Sequence, residues 1–328
     1  MTNTAATPLV SILIPLYNAE EYIGGLLEWC LRQPYKNIEV VVVDDHSTDN
    51  SYSIAKKHEC DRIHVLVNPK KGAQSARNYA FENSTGQYVK FHDADDYCSD
   101  NIIVKQVERM VKDGDEDTIV FSTRLIADKY GFINQAKAYN DKDFKNPIDF
   151  LYIEQKYFHL HNPHCFLLNR NTVEKSGGWN EDILIFQDTL FFTKAIEKAS
   201  KMLYVENEYA VWRMIDDDTK IHQPKPEKLK NGIHTICEMA KTLLKYRHDP
   251  ETLDITSNYI GQHIYLNFLQ FRHILPYVDE VCKQNGLEWT KIKSPRLGFL
   301  YSTLGWERTT LIVQYLKKLS QKFLHRRG

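Results

Sequence analysis

The chain has 328 residues, 42% hydrophobic and 26% charged, the make-up of an ordinary globular protein long enough for one large domain and a smaller appendage. Its 42 Lys and Arg residues nearly balance 43 Asp and Glu, for a formal charge of -1, so no global field draws it to nucleic acid and any basic surface is local. No apolar run reaches the ~20 residues that a membrane-spanning helix requires, and six scattered cysteines without a CxxC pair, behind a start with no leader-type pattern, predict a reducing, cytoplasmic setting.

After a polar start, residues 9–15 read as a short buried strand, 19–32 as an amphipathic helix and 38–43 as a second strand. The alternation continues with helices at 51–58, 73–83 and 102–112 and extended segments at 63–67, 88–92 and 118–122. Such alternation predicts an α/β fold whose sheet is largely parallel and covered by helices. Residues 126–164 are irregular and aromatic, a place for substrate-specific loops, before 166–168 return to strand and 188–198 to helix. Beyond about Pro224 helical periodicity takes over, with Ile233, Cys237, Met239, Leu243 and Leu244 on one segment and Ile255, Ile260, Ile264, Phe268 and Phe271 on the next. The expected division is an α/β domain over 1–223 and a helical subdomain over 224–328.

Ligands of such sheets gather at the carboxyl ends of the strands. Those ends read Pro15-Leu16-Tyr17-Asn18, Asp44-Asp45-His46-Ser47 and Asp93-Ala94-Asp95-Asp96. Adjacent carboxylates at a strand end are held rigidly toward one point and suit a hard divalent cation, Mg²⁺ or Mn²⁺, able to neutralise a departing diphosphate. A carboxylate of the second cluster is able to accept hydrogen bonds from a base N–H or a ribose hydroxyl. The plain alternative is a set of polar loops capping the following helices, through Ser99 or Asp100 in one place and Ser47 or Asp49 in the other.

Taken together, these clusters and Gly72-Ala73-Gln74-Ser75-Ala76-Arg77-Asn78 resemble glycosyltransferase family 2, the inverting enzymes of the GT-A fold, over roughly residues 8 to 220. Residues 10–18 look like the family's opening strand and 44–49 like its DDGSTD turn, with His46 in place of the usual Gly. Asp93-Ala94-Asp95-Asp96 matches the DxD motif. Gly177-Gly178-Trp179-Asn180-Glu181-Asp182 and Gln187-Asp188-Thr189-Leu190 look like the GGFDE and ED-containing segments. The resemblance implies a GT-A nucleotide-binding mixed sheet flanked by helices. It implies a nucleotide-sugar donor, read here as a UDP-sugar, contacted by Pro15, Tyr17, Asn18, Asp45, Arg77, Asp93, Asp95 and Arg213. It places the metal on Asp95 or Asp96, with His222 and Arg213 as further phosphate or metal contacts, and Asp188 as the general base of an inverting transfer. Gln187 departs from the pattern, since a Glu is common there. The acceptor it implies is a hydroxyl of a cell-surface glycan such as lipopolysaccharide, capsule or teichoic acid, including lipid-linked oligosaccharides.

Three further features have plainer readings. Asp216-Asp217-Asp218 reads as solvated surface, and His159, His161, His164 and Cys165 read as core or pocket lining near the acceptor rather than as zinc ligands. At the C-terminus Ile312, Tyr315, Leu316, Leu319 and Phe323 recur at helical spacing beside Lys317, Lys318, Lys322, Arg326 and Arg327. That helix is either an interfacial anchor on anionic membrane or a packing face, for the helical subdomain or for a second protomer. A sugar nucleotidyltransferase would need a Gly-rich phosphate loop near residue 15, and a dehydrogenase a G-x-G-x-x-G after the first strand; neither is present. A non-catalytic sugar-nucleotide or glycan-binding module is the competing class.

Overall fold

The computed structural model describes residues 7–128, 131–135, 139–159, 161–214, 225–293 and 297–324, without the side chains of residues 134, 135, 298, 299 and 318–324. Two compact units make up the chain: Met1–Ile153, His159–Asp182 and Gln187–Asp218 form one, and Glu154–Phe158, Ile183–Phe186 and Thr219–Gly328 the other.

The elements follow in chain order as β1 (Val10–Leu16), α1 (Ile23–Arg32), β2 (Ile38–Asp44), α2 (Ser51–Lys57), β3 (Ile63–Val67), α3 (Ala73–Glu82), β4 (Tyr88–Phe91), β5 (Tyr97–Cys98), α4 (Ile102–Asp113), β6 (Thr118–Ala127), β7 (Ile133–Gln135), α5 (Pro147–Tyr157), β8 (Phe166–Asn169), α6 (Arg170–Ser176), α7 (Gln187–Lys198) and β9 (Lys201–Arg213). Val40, Val41, Val42 and Val43 are all buried, as expected of a β-branched run covered by helices on both faces. Helix α4 buries Ile102, Ile103, Gln106, Val107 and Met110 on one side and stops at Gly114, whose φ of 72° is open to glycine at little cost.

The sheet order is β3-β2-β1-β4-β8-β6-β9-β5, with β7 on β6. Strands β1, β2, β3 and β4 are mutually parallel, as are β6 and β9, whereas β8 runs against both β4 and β6. The sheet is therefore mixed rather than largely parallel. Because β8 is antiparallel to both neighbours, with Leu168 opposite Val89 and Phe166 opposite Phe121, it starts where β4 finishes. The irregular stretch also holds α5, and β9, thirteen residues long, is a strand that local periodicity does not announce. His159 and His161 are core residues of this unit: His161 packs against Phe121, Phe150 and Phe166 with ring centroids 5.7, 5.2 and 5.6 Å apart.

The second unit carries α8 (Pro226–Leu244), α9 (Pro250–Leu266), α10 (Phe268–Phe271), α11 (Leu275–Gln284) and α12 (Gly298–Leu324). Asp249 caps α9 by accepting from Thr252 N at 3.0 Å, and Pro250 occupies the first turn, where its missing N–H costs nothing. Gly261 lets the chain at Thr290 press against α9; an added Cβ would lie 2.0 Å from Thr290 O. Gly305, at φ 77° and ψ 169°, breaks α12 into two segments. All six cysteines are free, Cys237 and Cys282 meeting at an Sγ–Sγ distance of 3.9 Å. Among the described residues no helix is long and apolar enough to cross a membrane.

Candidate active site

The loops after β1 and β2 are laced together by side chains. Asn18 N donates to Ser47 Oγ at 3.2 Å, and Asn18 Oδ1 accepts from Thr48 N at 2.8 Å. Ala19 N donates to Ser51 Oγ and Asn50 N to Glu20, at 2.7 and 2.9 Å. Asn18 and His46 both take positive φ, 46° and 63°. The family-type Gly at position 46 thus has a physical basis, and His46 adopts that conformation on an exposed loop. Pro15 pairs with Val43 across the sheet, and Tyr17 stands out from the loop, 51% exposed, with Lys71 Nζ over its ring.

Asp45 is buried and ordered. Its Oδ1 accepts from Asn68 Nδ2 at 2.7 Å and from Gly72 N at 2.8 Å, which ties the second loop to the start of α3. The capping alternative does not hold: the N-caps of α2 and α4 are Asn50 and Asn101, neither with a side-chain cap bond, and Asp49, one residue before its helix's cap, accepts from Ser51 N at 2.9 Å. Ser47 instead serves Asn18, and Ser99 bonds Glu208 and Tyr209 of β9.

Asp93, Asp95 and Asp96 follow β4. Asp93 accepts from Arg77 Nη2 at 2.7 Å, and Asp96 Oδ1 accepts from Arg213 N at 2.8 Å. Asp96 Oδ2 lies 3.3 Å from His164 Nδ1, both groups buried. The turn carrying His164 (Pro163–Cys165) is held by the buried Lys90, whose Nζ donates to His164 O at 2.6 Å and to Gln106 Oε1 at 3.1 Å. Burial, with Asp93 and Asp95 close by, pushes the Asp96 carboxyl up to about 9. Burial, followed by His92 and Lys90, holds His164 well below the usual imidazole range, hence neutral.

Ligand atoms of Asp93, Asp96 and His164 lie within 4.8 Å of one another. Crowded carboxyls that keep a proton on Asp96 would be relieved by a divalent cation, and two carboxylates with a neutral imidazole form a donor set that Mn²⁺ accepts. The residues therefore fit a metal. The convergence differs from the sequence expectation: His164 joins Asp93 and Asp96, Asp95 stands outside that trio, and His222 and Asp216-Asp217-Asp218 lie outside the described residues.

Arg77 is 5% exposed and stacks its guanidinium 4.5 Å above the Trp179 ring. Besides Asp93 it faces Asp188, Nη2 to Oδ1 being 3.6 Å. Asp188, second residue of α7, keeps about a third of its side-chain surface open (34%), while its Oδ1 is fully covered. Burial pushes its carboxyl up to about 6, Arg77 opposing and Asp93 reinforcing the shift. Asn78 holds the neighbouring loop at both edges: Trp179 N donates to Asn78 Oδ1 at 2.9 Å, and Asn78 Nδ2 donates to Trp179 O at 2.8 Å and Glu181 Oε1 at 3.2 Å.

One edge of one sheet thus gathers two loops bonded to each other, a carboxylate cluster and a separate half-buried carboxylate. The family model described as Glycosyl transferase family 2 matches residues 11–177. The chain belongs to glycosyl transferase family 2. It is 26% identical over 218 residues to glycosyltransferase GlyG of Streptococcus pneumoniae, covering 66% of this chain and 64% of that protein. It is 42% identical over 103 residues to the Escherichia coli UDP-Glc:alpha-D-GlcNAc-diphosphoundecaprenol beta-1,3-glucosyltransferase WfaP, covering 31% and 41%. Neither match spans two thirds of the relative's length. Among solved structures, S. aureus TarS 1-349 in complex with UDP-GlcNAc superposes with a TM-score of 0.61 at 19% identity, over 78% of this chain and 72% of that one. The expected GT-A fold with C-terminal helices is thereby confirmed.

For this family 2 chain the sequence reading missed His164 as a neighbour of the DxD carboxylates, together with the bracing done by Asn78 and Lys90. A signal existed for His164. It precedes a strand that pairs antiparallel with β4, so its turn must sit at the end of β4 where the aspartates begin.

Proposed function

We propose that this chain is an inverting glycosyltransferase that moves a sugar from a UDP-sugar to a hydroxyl of a cell-surface glycan or its lipid-linked precursor. Catalysis is assigned to residues 1–223, with 224–328 as the helical subdomain. The observation that carries the reading is the separation of roles around Arg77: Asp93 on the carboxylate cluster and Asp188 at a helix start face one guanidinium. WfaP's UDP-glucose donor and diphosphoundecaprenol acceptor, and the UDP-GlcNAc held by TarS, support the donor and acceptor classes.

Asp188 accepts the proton of the attacking hydroxyl while the hydroxyl oxygen bonds the anomeric carbon from the face opposite the diphosphate. The anomeric C–O bond breaks, its electron pair leaves with the diphosphate, and the configuration inverts. Asp93 or Asp95 with Asp96 and His164 would hold Mn²⁺ or Mg²⁺, which when bound would supply charge neutralisation for the leaving diphosphate. Asp45 and Tyr17 meet the nucleoside, Pro15 and Asn18 shape the loop around it, and Arg77 acts through Asp93 rather than by open contact. The test is UDP release from UDP-sugars with diphosphoundecaprenol-linked acceptors, product anomers being read by NMR. Retained configuration, or no turnover with any donor, overturns the proposal, and the second outcome favours a binding module.

Peripheral contact with the cytoplasmic face of an anionic membrane is part of the same proposal. Ile312, Tyr315 and Leu316 are exposed on α12 next to Lys317. Leu316→Glu is expected to weaken co-sedimentation with phosphatidylglycerol vesicles; unchanged sedimentation assigns that face to protein contact, with a second protomer among the occupants.

A further inference from the structure

Arg213 closes β9, and its backbone is fixed by the bond to Asp96. Its guanidinium lies between two phenol rings, Cζ being 5.1 Å from the centroid of Tyr22 and 4.8 Å from that of Tyr97. The rings come from two separate places at the same sheet edge. Tyr22 is the residue just before α1, at the end of the loop that Asn18 laces, and Tyr97 follows Asp96 directly. The backbone of Tyr97 pairs with Val211, which fixes its distance from Arg213.

The two arginines of the site are held in opposite ways. Arg77 is ion-paired with Asp93 and faces Asp188, so its charge is already answered. Among the described residues no carboxylate forms an ion pair with Arg213; ring faces hold it instead. Aromatic faces attract a guanidinium through the ring quadrupole without accepting its in-plane N–H groups, which stay available to an anion along with the positive charge. A long side chain clamped in this way also loses less freedom when it binds.

We propose that Tyr22 and Tyr97 are positioning residues: they form an aromatic clamp that presents Arg213, already oriented, to the diphosphate of the donor. This rests on the nucleotide-sugar reading above. The clamp acts on the charged bridge between nucleoside and sugar, so its loss falls on diphosphate recognition and spares the nucleoside.

The test is calorimetric titration of UDP and of uridine, with Mn²⁺ held constant, into the full chain and into Tyr22→Leu, Tyr97→Leu and the matching Phe variants. Each Leu variant is expected to bind UDP about three- to tenfold more weakly, with uridine affinity unchanged, and each Phe variant to return to the wild-type value. Arg213→Lys, which keeps the charge and loses the stacking plane, is expected to match the Leu variants, and it serves if one of those fails to fold. Equal UDP affinities for Leu and Phe variants, or parallel losses for UDP and uridine, would refute the clamp. A wild-type chain that binds no nucleoside diphosphate would instead remove the donor reading, and the clamp with it.

Discussion

Arg77 Nη2 lies 3.6 Å from Asp188 Oδ1, longer than a hydrogen bond, while the same nitrogen donates to Asp93 at 2.7 Å. The guanidinium therefore stabilises the Asp188 anion without tying up its open oxygen, and burial leaves the carboxyl at about 6. A base in that range is ionised at neutral pH and is still strong enough to accept a proton. Transfer should rise about tenfold per pH unit below about 6 and level off above it. Asp188→Asn should cost about 10²- to 10⁴-fold in kcat with donor affinity preserved. A flat pH–rate profile between pH 5 and 8 would remove Asp188 from that role.

Asp96 links metal to stability. Its carboxyl, raised to about 9, holds a proton in the folded chain that the unfolded chain releases near pH 4. Folded protein binding the extra proton means that this contribution is full at low pH and is lost as pH rises from about 4 to about 9. In EDTA, the melting temperature of the wild type should therefore fall across pH 5 to 9 more steeply than that of Asp96→Asn. Mn²⁺ should flatten the wild-type slope by displacing the proton. Parallel slopes in EDTA would show that Asp96 ionises normally.

Asn78 braces the Trp179 loop. Removing its amide strands Trp179 N and Trp179 O on a loop that the Asn78 side chain spans. Asn78→Ala should destabilise by about 1–3 kcal/mol, the cost of leaving buried partners unmet. Urea unfolding measures this, and a loss under about 0.5 kcal/mol would mean that the loop finds other support.

His46 sits at φ 63°. A β-branched residue fits that region poorly, so His46→Val should cost about 1–2 kcal/mol, whereas His46→Gly should be neutral or mildly stabilising. Equal stabilities for the Gly and Val variants in the same unfolding assay would contradict a conformational reason for the family's glycine.

How far the sequence reached depends on whether a feature is local. The β1-to-β4 half was legible because each strand there is mostly apolar and ends in, or is followed within two residues by, Asn or Asp, and those ends converge once the strands are parallel. The other half depended on pairing: β9 mixes Glu206 and Glu208 with apolar residues and slips register against β6 between Ser122 and Thr123, so periodicity conceals it. His164 was read as lining because its neighbours Pro163 and Phe166 are apolar. Only the antiparallel entry of β8 brings it to Asp96. The place of Asp188 at a helix start was legible from its motif, whereas its pairing with Arg77, 111 residues earlier in the chain, was not.

The most direct measurement is calorimetric titration of UDP-, GDP-, CMP- and dTDP-sugars into the chain, first with Mn²⁺ and then with EDTA. A carboxylate-held donor site predicts tight, saturable binding of a UDP-sugar that EDTA abolishes and Asp96→Asn weakens. Absence of binding to every donor in Mn²⁺, or affinity indifferent to EDTA and to Asp96→Asn, would contradict it.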